Sequence, residues 1–548
     1  MLDGCVPWPD EFAARYRAAG FWTEEPLDVL LRGQAERHPD RIALVDAQGG
    51  RSSYAELEAQ VGRRAAGLHR LGLRSGERVV VQLPNIPEFV VLCFALLRLG
   101  ALPVLALPAH RESEITHLCE LSAATAYVVA DTDDAGFDYR VLARRLCTAV
   151  PTVRWVLVSG EPAEFHSLAE AQADPISLAR PDPAEVALFL LSGGTTGTPK
   201  LIPRTHQDYL YNARASAQIC GFDAATVYLV ALPIAHNFAL ACPGVLGTFA
   251  AAGTVVLADT PSAEHAFALI AREKVTVTAV VPPIALLWMD VAEWDDTDIS
   301  SLRLLQVGGA KLNPEPAGRV RAALRCALQQ VFGMAEGLLS YTRLDDPDDL
   351  VAHTQGRPMS PADEIRVIDA DGGEVTSGAA GELLTRGPYT LRGYYRAPEH
   401  NARAFTADGF YRSGDLVRML PSGHLVVEGR VKEQINRGGD KIAAEELENH
   451  ILAHPGVHDA AVVGMADEVM GERVCAFVIP RGQPPTWHEL AAFLRERGVA
   501  GYKIPDRLEV LSVFPRTTVG KISKKALGER IVAQRRAERV AGRQRDHR

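Results

Sequence analysis

The nonapeptide SGGTTGTPK, residues 192–200, combines the residue types that hold phosphate. Its glycines Gly193, Gly194 and Gly197 allow the backbone to approach an anion closely and to point N–H groups at it. The remaining donors are Ser192, Thr195, Thr196 and Thr198, together with the positive charge of Lys200. The peptide therefore predicts a phosphate-binding loop, although composition alone leaves an ordinary surface loop as an alternative.

This loop departs from the Walker A pattern G-x-x-x-x-G-K-[ST] of P-loop NTPases. Counted from Gly194, Pro199 stands where the second glycine belongs, and Leu201 stands where a magnesium-binding hydroxyl belongs. Because a proline disfavours helical angles at the preceding residue, we expect no helix to begin at Lys200. The loop is thus predicted to bind phosphate outside the P-loop NTPase fold.

Short apolar runs alternate with helical patterns in the first two thirds of the chain, which predicts a mostly parallel sheet covered by helices. Several of these runs, such as VALFLLSGG and LRLLQVGGA, end in glycine or polar residues. Ligands of open α/β sheets collect outside the carboxyl ends of the strands. The resulting site candidates are Gly193, His236, Gly308, Gly309 and Gly333.

The pattern changes from about residue 361. From there, apolar and polar residues alternate, and the dipeptides DG and SG indicate turns, which together predict antiparallel strands. Two glycines then lead into an amphipathic helix with Leu447 and Ile451 on one face. We place a domain boundary near 430–435, between a large domain of residues 1–431 and a small α/β domain of residues 432–548.

Composition limits the class of protein. The 548 residues suggest more than one domain, and a formal net charge of −10 argues against a general nucleic-acid or acidic-membrane binder. The eight cysteines contain no C-x-x-C pair, which predicts a reduced, cytoplasmic protein without a zinc or disulfide framework. The apolar segment 89–108 is interrupted by Arg98 and is predicted to be a buried helix followed by a strand.

The loop and six further motifs resemble those of the adenylate-forming (ANL) superfamily, in the same order. They are SGGTTGTPK, VFGMAEG, GELLTRGP, GYY, YRSGDL, EGRVKEQINRGGDKI and PRTTVGKISKK. Peptides such as VQLPN, LPIAHN, VFGMAEGL and GPYTLRGYY are similar to the stand-alone aryl acid adenylating enzymes of siderophore pathways. The resemblance implies an α/β fold with a large N-terminal domain of parallel-rich sheets, a β-rich subdomain and a small, mobile C-terminal domain.

The family's reaction has two steps: a carboxylate attacks the α-phosphorus of ATP, and a thiol then captures the acyl group from the acyl-adenylate. The first step requires no general base, since a benzoic-type acid, with a pKa of about 4, is already ionised at neutral pH. The resemblance implies that Glu336 helps to hold Mg²⁺ and that Lys521 bridges the carboxylate and the α-phosphate. The resemblance also places Lys432 at the family's hinge position between the domains.

The resemblance also assigns the binding residues. The ATP or AMP site would comprise Ser192, Gly193, Gly194, Thr195, Thr196, Lys200, Gly309, Ala310, Val331, Glu336, Asp415, Arg430 and Lys521. In this set Asp415 and Arg430 would reach the ribose. The aryl acid site would comprise His236, Asn237, Phe238, Cys242, Gly308, Gly309 and Leu339. The reaction centre itself would contain Lys521, His236 and Glu336.

Cys242 and Leu339 favour salicylate as the acid. Relatives that activate 2,3-dihydroxybenzoate place serine and valine at these positions, whereas a thiol is a weak partner for a 3-hydroxyl and leucine fills its space. Two departures are Ser340, where the subfamily often has asparagine, and Phe238, where tyrosine is common. Because LPIAHNFALACPG contains no acidic residue to hold an α-amine, an amino acid substrate is disfavoured.

The acceptor thiol is expected on the phosphopantetheine of an aryl carrier protein in trans, because the C-terminal region has no GxDS-like attachment serine. Three alternatives stay open at this point: a 2,3-dihydroxybenzoate-AMP ligase, an aryl-CoA ligase that uses free CoA, and a non-catalytic ATP-binding module. Retention of Glu336, Asp415 and Lys521 argues against the last of these.

Overall fold

A computed structural model of the chain describes residues 1–133, 135–192, 199–312, 314–369, 371–430, 434–515, 522–524 and 526–534. The chain forms two compact units: the larger comprises Met1–Pro108, Ile115–Ser192 and Lys200–Val431, and the smaller consists chiefly of Lys432–Arg548. None of the helices among the described residues has the length and apolar character needed to cross a bilayer.

The strands follow one another along the chain as β1 (Ile42–Val45), β2 (Arg51–Ser53), β3 (Arg78–Gln82), β4 (Leu102–Leu105), β5 (Ala126–Ala130), β6 (Trp155–Ser159), β7 (His166–Ser167), β8 (Val186–Leu191), β9 (Leu201–Thr205), β10 (Val227–Val230), β11 (Thr254–Leu257), β12 (Val277–Val280), β13 (Leu304–Val307), β14 (Ala327–Gly333), β15 (Leu339–Tyr341), β16 (Arg357–Pro358), β17 (Glu364–Ile368), β18 (Ala380–Arg386), β19 (Tyr411–Met419), β20 (Leu425–Arg430), β21 (Gln434–Arg437), β22 (Asp440–Ala443), β23 (Val457–Asp467), β24 (Gly471–Pro480) and β25 (Arg507–Val510).

The helices are α1 (Asp10–Ala18), α2 (Val29–Arg37), α3 (Tyr54–Leu71), α4 (Pro87–Leu99), α5 (Glu112–Ser122), α6 (Tyr139–Ala149), α7 (His206–Ile219), α8 (Asn237–Ala241), α9 (Gly244–Ala250), α10 (Ala263–Glu273), α11 (Pro282–Val291), α12 (Pro314–Leu324), α13 (Asp348–His353), α14 (Pro398–Ala404), α15 (Ala444–Leu452) and α16 (Trp487–Glu496).

Two parallel-rich sheets form the centre of the large unit. One has the order β16-β15-β14-β13-β12-β10-β11-β1-β2, and the other has the order β7-β6-β5-β3-β4-β8-β9. In the first sheet, the strands from β14 to β1 pair in parallel. Strands such as β4, β5, β12 and β13 are buried along their whole length, as expected for parallel sheets covered on both faces. The predicted parallel, helix-covered architecture is confirmed.

The β-rich part of the large unit is an antiparallel sheet of order β17-β18-β19-β20, as the alternating sequence predicts. The small unit contains a second sheet of order β22-β21-β24-β23, with β25 parallel to β24. Leu447 and Ile451 of α15 are both buried there, on the face that their spacing predicts.

Local signals in the sequence set several element ends. Helix α4 begins at Pro87 and ends before Gly100, whose φ of 74° is readily adopted by glycine. This helix and β4 confirm the predicted reading of the 89–108 segment as a helix followed by a strand. Helix α7, which lies behind the candidate site, begins with a capping box between Thr205 and Asp208.

Candidate active site

The predicted phosphate loop connects two antiparallel strands, β8 and β9, in which Leu191 pairs with Leu201. At its base, the Ser192 N–H donates to the Lys200 carbonyl at 2.9 Å, and the Lys200 N–H donates to Ser192 Oγ at 3.2 Å. A strand follows Lys200, so the expectation that no helix begins there is confirmed. Gly193, Gly194, Thr195, Thr196, Gly197 and Thr198 lie outside the described residues.

Lys200 lies beside a carboxylate and an aromatic ring. Burial lowers the pKa of Lys200, and the nearby negative charge of Glu336 opposes this change. The Lys200 Nζ atom lies 6.0 Å from the centre of the Tyr394 ring, and the Tyr394 hydroxyl donates to Glu336 Oε1 at 2.8 Å. A cation and a carboxylate therefore lie near each other at the base of the predicted phosphate loop.

The turn that carries Glu336 is fixed from two sides. Arg204 Nη1 donates to the carbonyl of Ala335 at 3.0 Å, and the carbonyl of Glu336 accepts from the Leu391 N–H at 2.7 Å. Gly337 has a φ of 150°, and a Cβ atom at that position would lie 2.3 Å from Thr390 Cα. The position therefore requires glycine.

Glu336 could supply a single protein ligand to Mg²⁺. In the part of the chain that the structure describes, no group of three or more His, Cys, Asp and Glu side chains is placed to hold a metal ion. Mg²⁺ characteristically takes only one or two carboxylates and completes its octahedral shell with water and substrate phosphates. The buried carboxylate of Glu336, near the base of the predicted phosphate loop, is compatible with that requirement.

Asp415 and Arg430 form a second group of predicted residues. They are direct partners in the antiparallel register of β19 and β20, so their Cα atoms are neighbours across the sheet. Asp415 is buried, and its N–H donates to Ser413 Oγ at 3.0 Å. The pairing brings together two residues that are fifteen positions apart in the sequence and that the resemblance assigns to the same sugar.

The carboxyl ends of β13 and β14 meet helix α8 at Gly308. A Cβ atom at Gly308 would lie 2.9 Å from Phe238 Cζ and 2.9 Å from the carbonyl oxygen of Val331. Gly309 follows with a φ of 78°, and the partly buried Ala310 comes next. The structure thus brings Gly308, a candidate because it follows a predicted strand, together with Phe238 and Val331, which the resemblance assigned.

His236 and Asn237 stand at the start of α8. The exposed His236 is the N-cap, and its Nδ1 accepts from the Phe238 N–H at 3.2 Å. Asn237 accepts a hydrogen bond from the Tyr209 hydroxyl at 2.7 Å through Oδ1 and donates through Nδ2 to Cys242 Sγ at 3.4 Å. Burial raises the pKa of the Cys242 thiol to about 12, so the sulfur remains protonated.

Leu339 begins β15, which pairs with β14 so that Leu339 lies opposite Gly333. The Leu339 N–H donates to the Tyr389 hydroxyl at 3.1 Å, and a Cβ atom at Gly333 would lie 2.3 Å from Leu339 Cδ2. Phe238, Cys242, Val331 and Leu339 belong to one buried apolar cluster. Phe238, Cys242 and Leu339, predicted for the acid pocket, therefore share an apolar cluster with Val331, which was predicted to line the adenine.

Three residues at this site escaped the sequence analysis: Asn85, Arg204 and Tyr209. The Asn85 amide nitrogen lies 3.0 to 3.2 Å from the carbonyl oxygens of Val230, Leu232 and Ala258, and its oxygen accepts from the Ile234 N–H at 2.8 Å. Asn85 thereby anchors the turn that leads to His236. The sequence did contain a signal for Asn85: it is the last residue of the VQLPN peptide, one of the peptides that carry the resemblance. The resemblance assigned no role to this residue.

Two predicted residues, Lys521 and Lys432, lie outside the described residues. Arg430 is the last residue of β20. The described contacts connect Lys200 with Glu336, Asn237 with Cys242, and Phe238 with Gly308 and Val331.

Comparison with known proteins identifies the family of this chain. The family model for AMP-binding enzymes matches residues 31–395, and the model for the C-terminal domain of AMP-binding enzymes matches residues 446–521. The chain belongs to the AMP-binding, or adenylate-forming, enzyme family.

Relatives of known activity resemble the chain over nearly its whole length. A 2,3-dihydroxybenzoate-AMP ligase of Bacillus subtilis (strain 168) is 56% identical, with coverage of 97% of this chain and 98% of the relative. A salicyl-AMP ligase / salicyl-S-ArCP synthetase of Mycobacterium tuberculosis is 54% identical, with coverage of 96% and 94%. The apo structure of MbtA from Mycobacterium smegmatis is 53% identical, covers 96% of this chain and 98% of that one, and has a TM-score of 0.75.

Proposed function

We propose that this protein is an aryl acid-AMP ligase. It joins an aryl acid, with salicylate favoured, to the AMP portion of ATP and releases pyrophosphate. It then passes the aryl group to the phosphopantetheine thiol of an aryl carrier protein, in siderophore or related non-ribosomal peptide synthesis in the cytoplasm. The observation that carries the proposal is the Asn237 amide held beside Cys242 within the apolar cluster, where an aryl ring and its carboxylate would be received together.

The first step forms a bond between a carboxylate oxygen and the α-phosphorus and breaks the bond between that phosphorus and the bridging oxygen to the β-phosphate. The acid arrives ionised, so the protein's task is to position the reactants and to neutralise charge. In this proposal, Ser192, the 193–197 backbone and Lys200 hold the β- and γ-phosphates and Glu336 helps to hold Mg²⁺. The pair of opposite charges at Lys200 and Glu336 supports this assignment.

The nucleotide's remaining groups have separate partners in the proposal. Asp415 accepts hydrogen bonds from the ribose hydroxyls, for which its two carboxylate oxygens are suited, and Arg430 reaches the same sugar. Gly309, Ala310 and Val331 line the adenine. Lys521 bridges the acid and the α-phosphate and stabilises charge as it shifts. The cross-strand pairing of Asp415 with Arg430 supports their joint role.

Salicylate is favoured over 2,3-dihydroxybenzoate because of Cys242 and Leu339. The Cys242 thiol donates to the Asn237 carbonyl at 3.4 Å, so its only proton is already in use. The Cys242 sulfur could then only accept a hydrogen bond from the 3-hydroxyl of 2,3-dihydroxybenzoate. Because sulfur is a weak acceptor, this hydroxyl would gain little, which disfavours the dihydroxy acid. The second candidate is 2,3-dihydroxybenzoate, which the name of the 56% identical Bacillus relative favours.

Transfer to the thiol requires Lys521 to leave the nucleotide after the first step. In the proposal, rotation of residues 432–548 about Lys432 removes Lys521 and opens a path for the phosphopantetheine arm. The carrier protein is supplied in trans, and free CoA is the alternative acceptor.

ATP–pyrophosphate exchange with salicylate, 2,3-dihydroxybenzoate, benzoate and several amino acids tests the proposal. We expect salicylate to give the highest kcat/KM. The double variant Cys242→Ser, Leu339→Val should shift the preference toward 2,3-dihydroxybenzoate by about 10-fold or more, since such pocket changes are worth roughly 1–3 kcal/mol.

Cys326→Ser is the matched control, because Cys326 is also buried but belongs to a different apolar cluster. It should leave the ratio between the two acids unchanged. A wild-type preference for 2,3-dihydroxybenzoate would contradict the assignment of Cys242 and Leu339. Absence of exchange with every aryl acid would contradict the proposed function.

A further inference from the structure

Tyr394 lies next to both charged groups at the base of the predicted phosphate loop. Its hydroxyl donates to Glu336 Oε1 at 2.8 Å, and the centre of its ring lies 6.0 Å from Lys200 Nζ. The tyrosine is 3% exposed, so its hydrogen bond to the carboxylate is largely shielded from water. One aromatic side chain therefore meets a carboxylate through its hydroxyl and a cation through its ring.

The direction of the hydrogen bond to Glu336 follows from the chemistry of the two groups. An ionised carboxylate can only accept hydrogen bonds, and a phenol keeps its single proton at neutral pH. The proton of Tyr394 is therefore directed at Glu336. The Tyr411 hydroxyl lies 2.8 Å from that of Tyr394 and must be the donor of this second bond. The two phenols thus form a hydrogen-bonded chain that ends on the carboxylate.

The backbone of Tyr394 is held by helix α14. The Tyr394 N–H donates to Asn401 Oδ1 at 2.9 Å, and Asn401 Nδ2 donates to the Tyr394 carbonyl at 2.9 Å. The His400 ring meets the Tyr394 ring edge to face, with centroids 5.0 Å apart. A Cβ atom at Gly393 would lie 2.9 Å from Asn401 Nδ2, so glycine leaves room for this clamp. The position of the Tyr394 hydroxyl is therefore fixed independently of Glu336.

The carboxylate of Glu336 has a second group that attracts it. The charge of Glu336 acts on the ammonium group of Lys200, and opposite charges attract strongly where water is partly excluded. If the two groups paired directly, the carboxylate would be less available to a cation and the ammonium less available to phosphate. The Tyr394 hydroxyl competes with this pairing, because it holds one carboxylate oxygen in place.

We propose that Tyr394 is a positioning residue for cation binding at Glu336: its hydroxyl holds Oε1, which leaves Oε2 for Mg²⁺ and keeps the Lys200 ammonium available for phosphate. This inference rests on the proposed function, in which Glu336 helps to hold Mg²⁺ and Lys200 helps to hold the phosphates. It adds a role for the Tyr394 hydroxyl, which the proposed function does not use.

Isothermal titration with ATP, in excess MgCl₂ and in EDTA, tests the inference without turnover because no aryl acid is present. The ratio of the two dissociation constants measures how much Mg²⁺ strengthens ATP binding, and in the wild type it should be about 10-fold or more. Tyr394→Phe keeps the ring and removes the hydroxyl. It should lose most of this gain, while the Kd for ATP in EDTA should change by less than about threefold.

Two further variants separate positioning from a structural role. Glu336→Gln should also lose the gain, and the double variant with Tyr394→Phe should lose no more than Glu336→Gln alone, because the hydroxyl acts only through the carboxylate. Tyr411→Phe removes the donor behind Tyr394 and should lose part of the gain. It provides a second test if Tyr394→Phe does not fold.

Tyr395→Phe is the matched control, since Tyr395 is the next residue, is similarly buried and packs instead against Phe189, with ring centroids 5.0 Å apart. It should leave the gain from Mg²⁺ unchanged. Full retention of the gain in Tyr394→Phe would overturn the inference, as would additive losses in the double variant. If the wild type shows no gain, or if Glu336→Gln retains it, the magnesium role of Glu336 in the proposed function fails as well.

Discussion

Gly308→Ala tests whether the acid pocket depends on close packing at the carboxyl ends of β13 and β14. The added methyl would lie 2.9 Å from Phe238 Cζ, 3.0 Å from Phe238 Cε1 and 2.9 Å from the Val331 carbonyl oxygen. Comfortable contacts between carbon atoms are about 3.5–4.0 Å, so the two contacts with the Phe238 ring are too short by roughly 0.5–1 Å. Val331 O belongs to a paired strand, whereas the Phe238 ring can turn, so we expect the ring to move.

Overpacking of this kind typically destabilises a folded protein by about 1–3 kcal/mol. Since Phe238 follows Asn237 in α8, its displacement should raise the KM for the aryl acid by about 10-fold, the equivalent of 1.4 kcal/mol. Pyrophosphate exchange at varied acid and ATP concentrations measures the effect, and thermal unfolding measures the loss of stability.

Gly318→Ala is a suitable control, because Gly318 lies within α12 with no atom near its missing Cβ, and alanine is the better helix former there. It should leave both KM values unchanged and slightly raise stability. If Gly308→Ala left stability and the KM for the acid unchanged, the packing argument would be refuted. A matching rise in the KM for ATP would show that the effect is not confined to the acid pocket.

Two further predictions concern acid stability and the domain hinge. Burial lowers the pKa of His206 from 6.5 to about 4, so stability present above pH 6.5 is lost as the pH falls toward 4, by at most about 3 kcal/mol. His206→Asn keeps an acceptor for the Leu27 N–H and should remove this loss in the free energy of unfolding. Urea unfolding at several pH values measures the effect, and the same pH dependence in the variant as in the wild type would contradict the prediction. Lys432→Pro, which fixes φ, should spare pyrophosphate exchange and impair thioester formation. An equal loss of both steps would contradict the hinge assignment.

The local parts of the fold were predictable because their signals are local. Pro87 and Gly100 bracket a helix, and Pro199 predicted that no helix begins at Lys200. The alternation of apolar and polar residues from about residue 361 predicted the antiparallel sheet. In each case, the residue's own backbone preference or a two-residue period carries the information.

The contacts that complete the site were not predictable in this way. Tyr209 and Asn237 are 28 residues apart, and Arg204 reaches a carbonyl 131 residues away. Periodicity indicates which face of an element is buried but not which element covers it. The same limit applies to β1, whose neighbour β11 is more than 200 residues away in the chain.

In the proposed acid pocket, Asn85 supports the backbone, and other residues are proposed to set the selectivity. Its amide anchors the turn before His236 through backbone groups of Val230, Leu232, Ile234 and Ala258, and Cys242 and Leu339 take no part in those bonds. The backbone of the proposed pocket and the side chains at 242 and 339 that line it can therefore be changed separately. A library that varies the residues at 242 and 339 while retaining Asn85 can explore new aromatic acids on an unchanged frame, whereas changes at Asn85 would shift every such pocket at once.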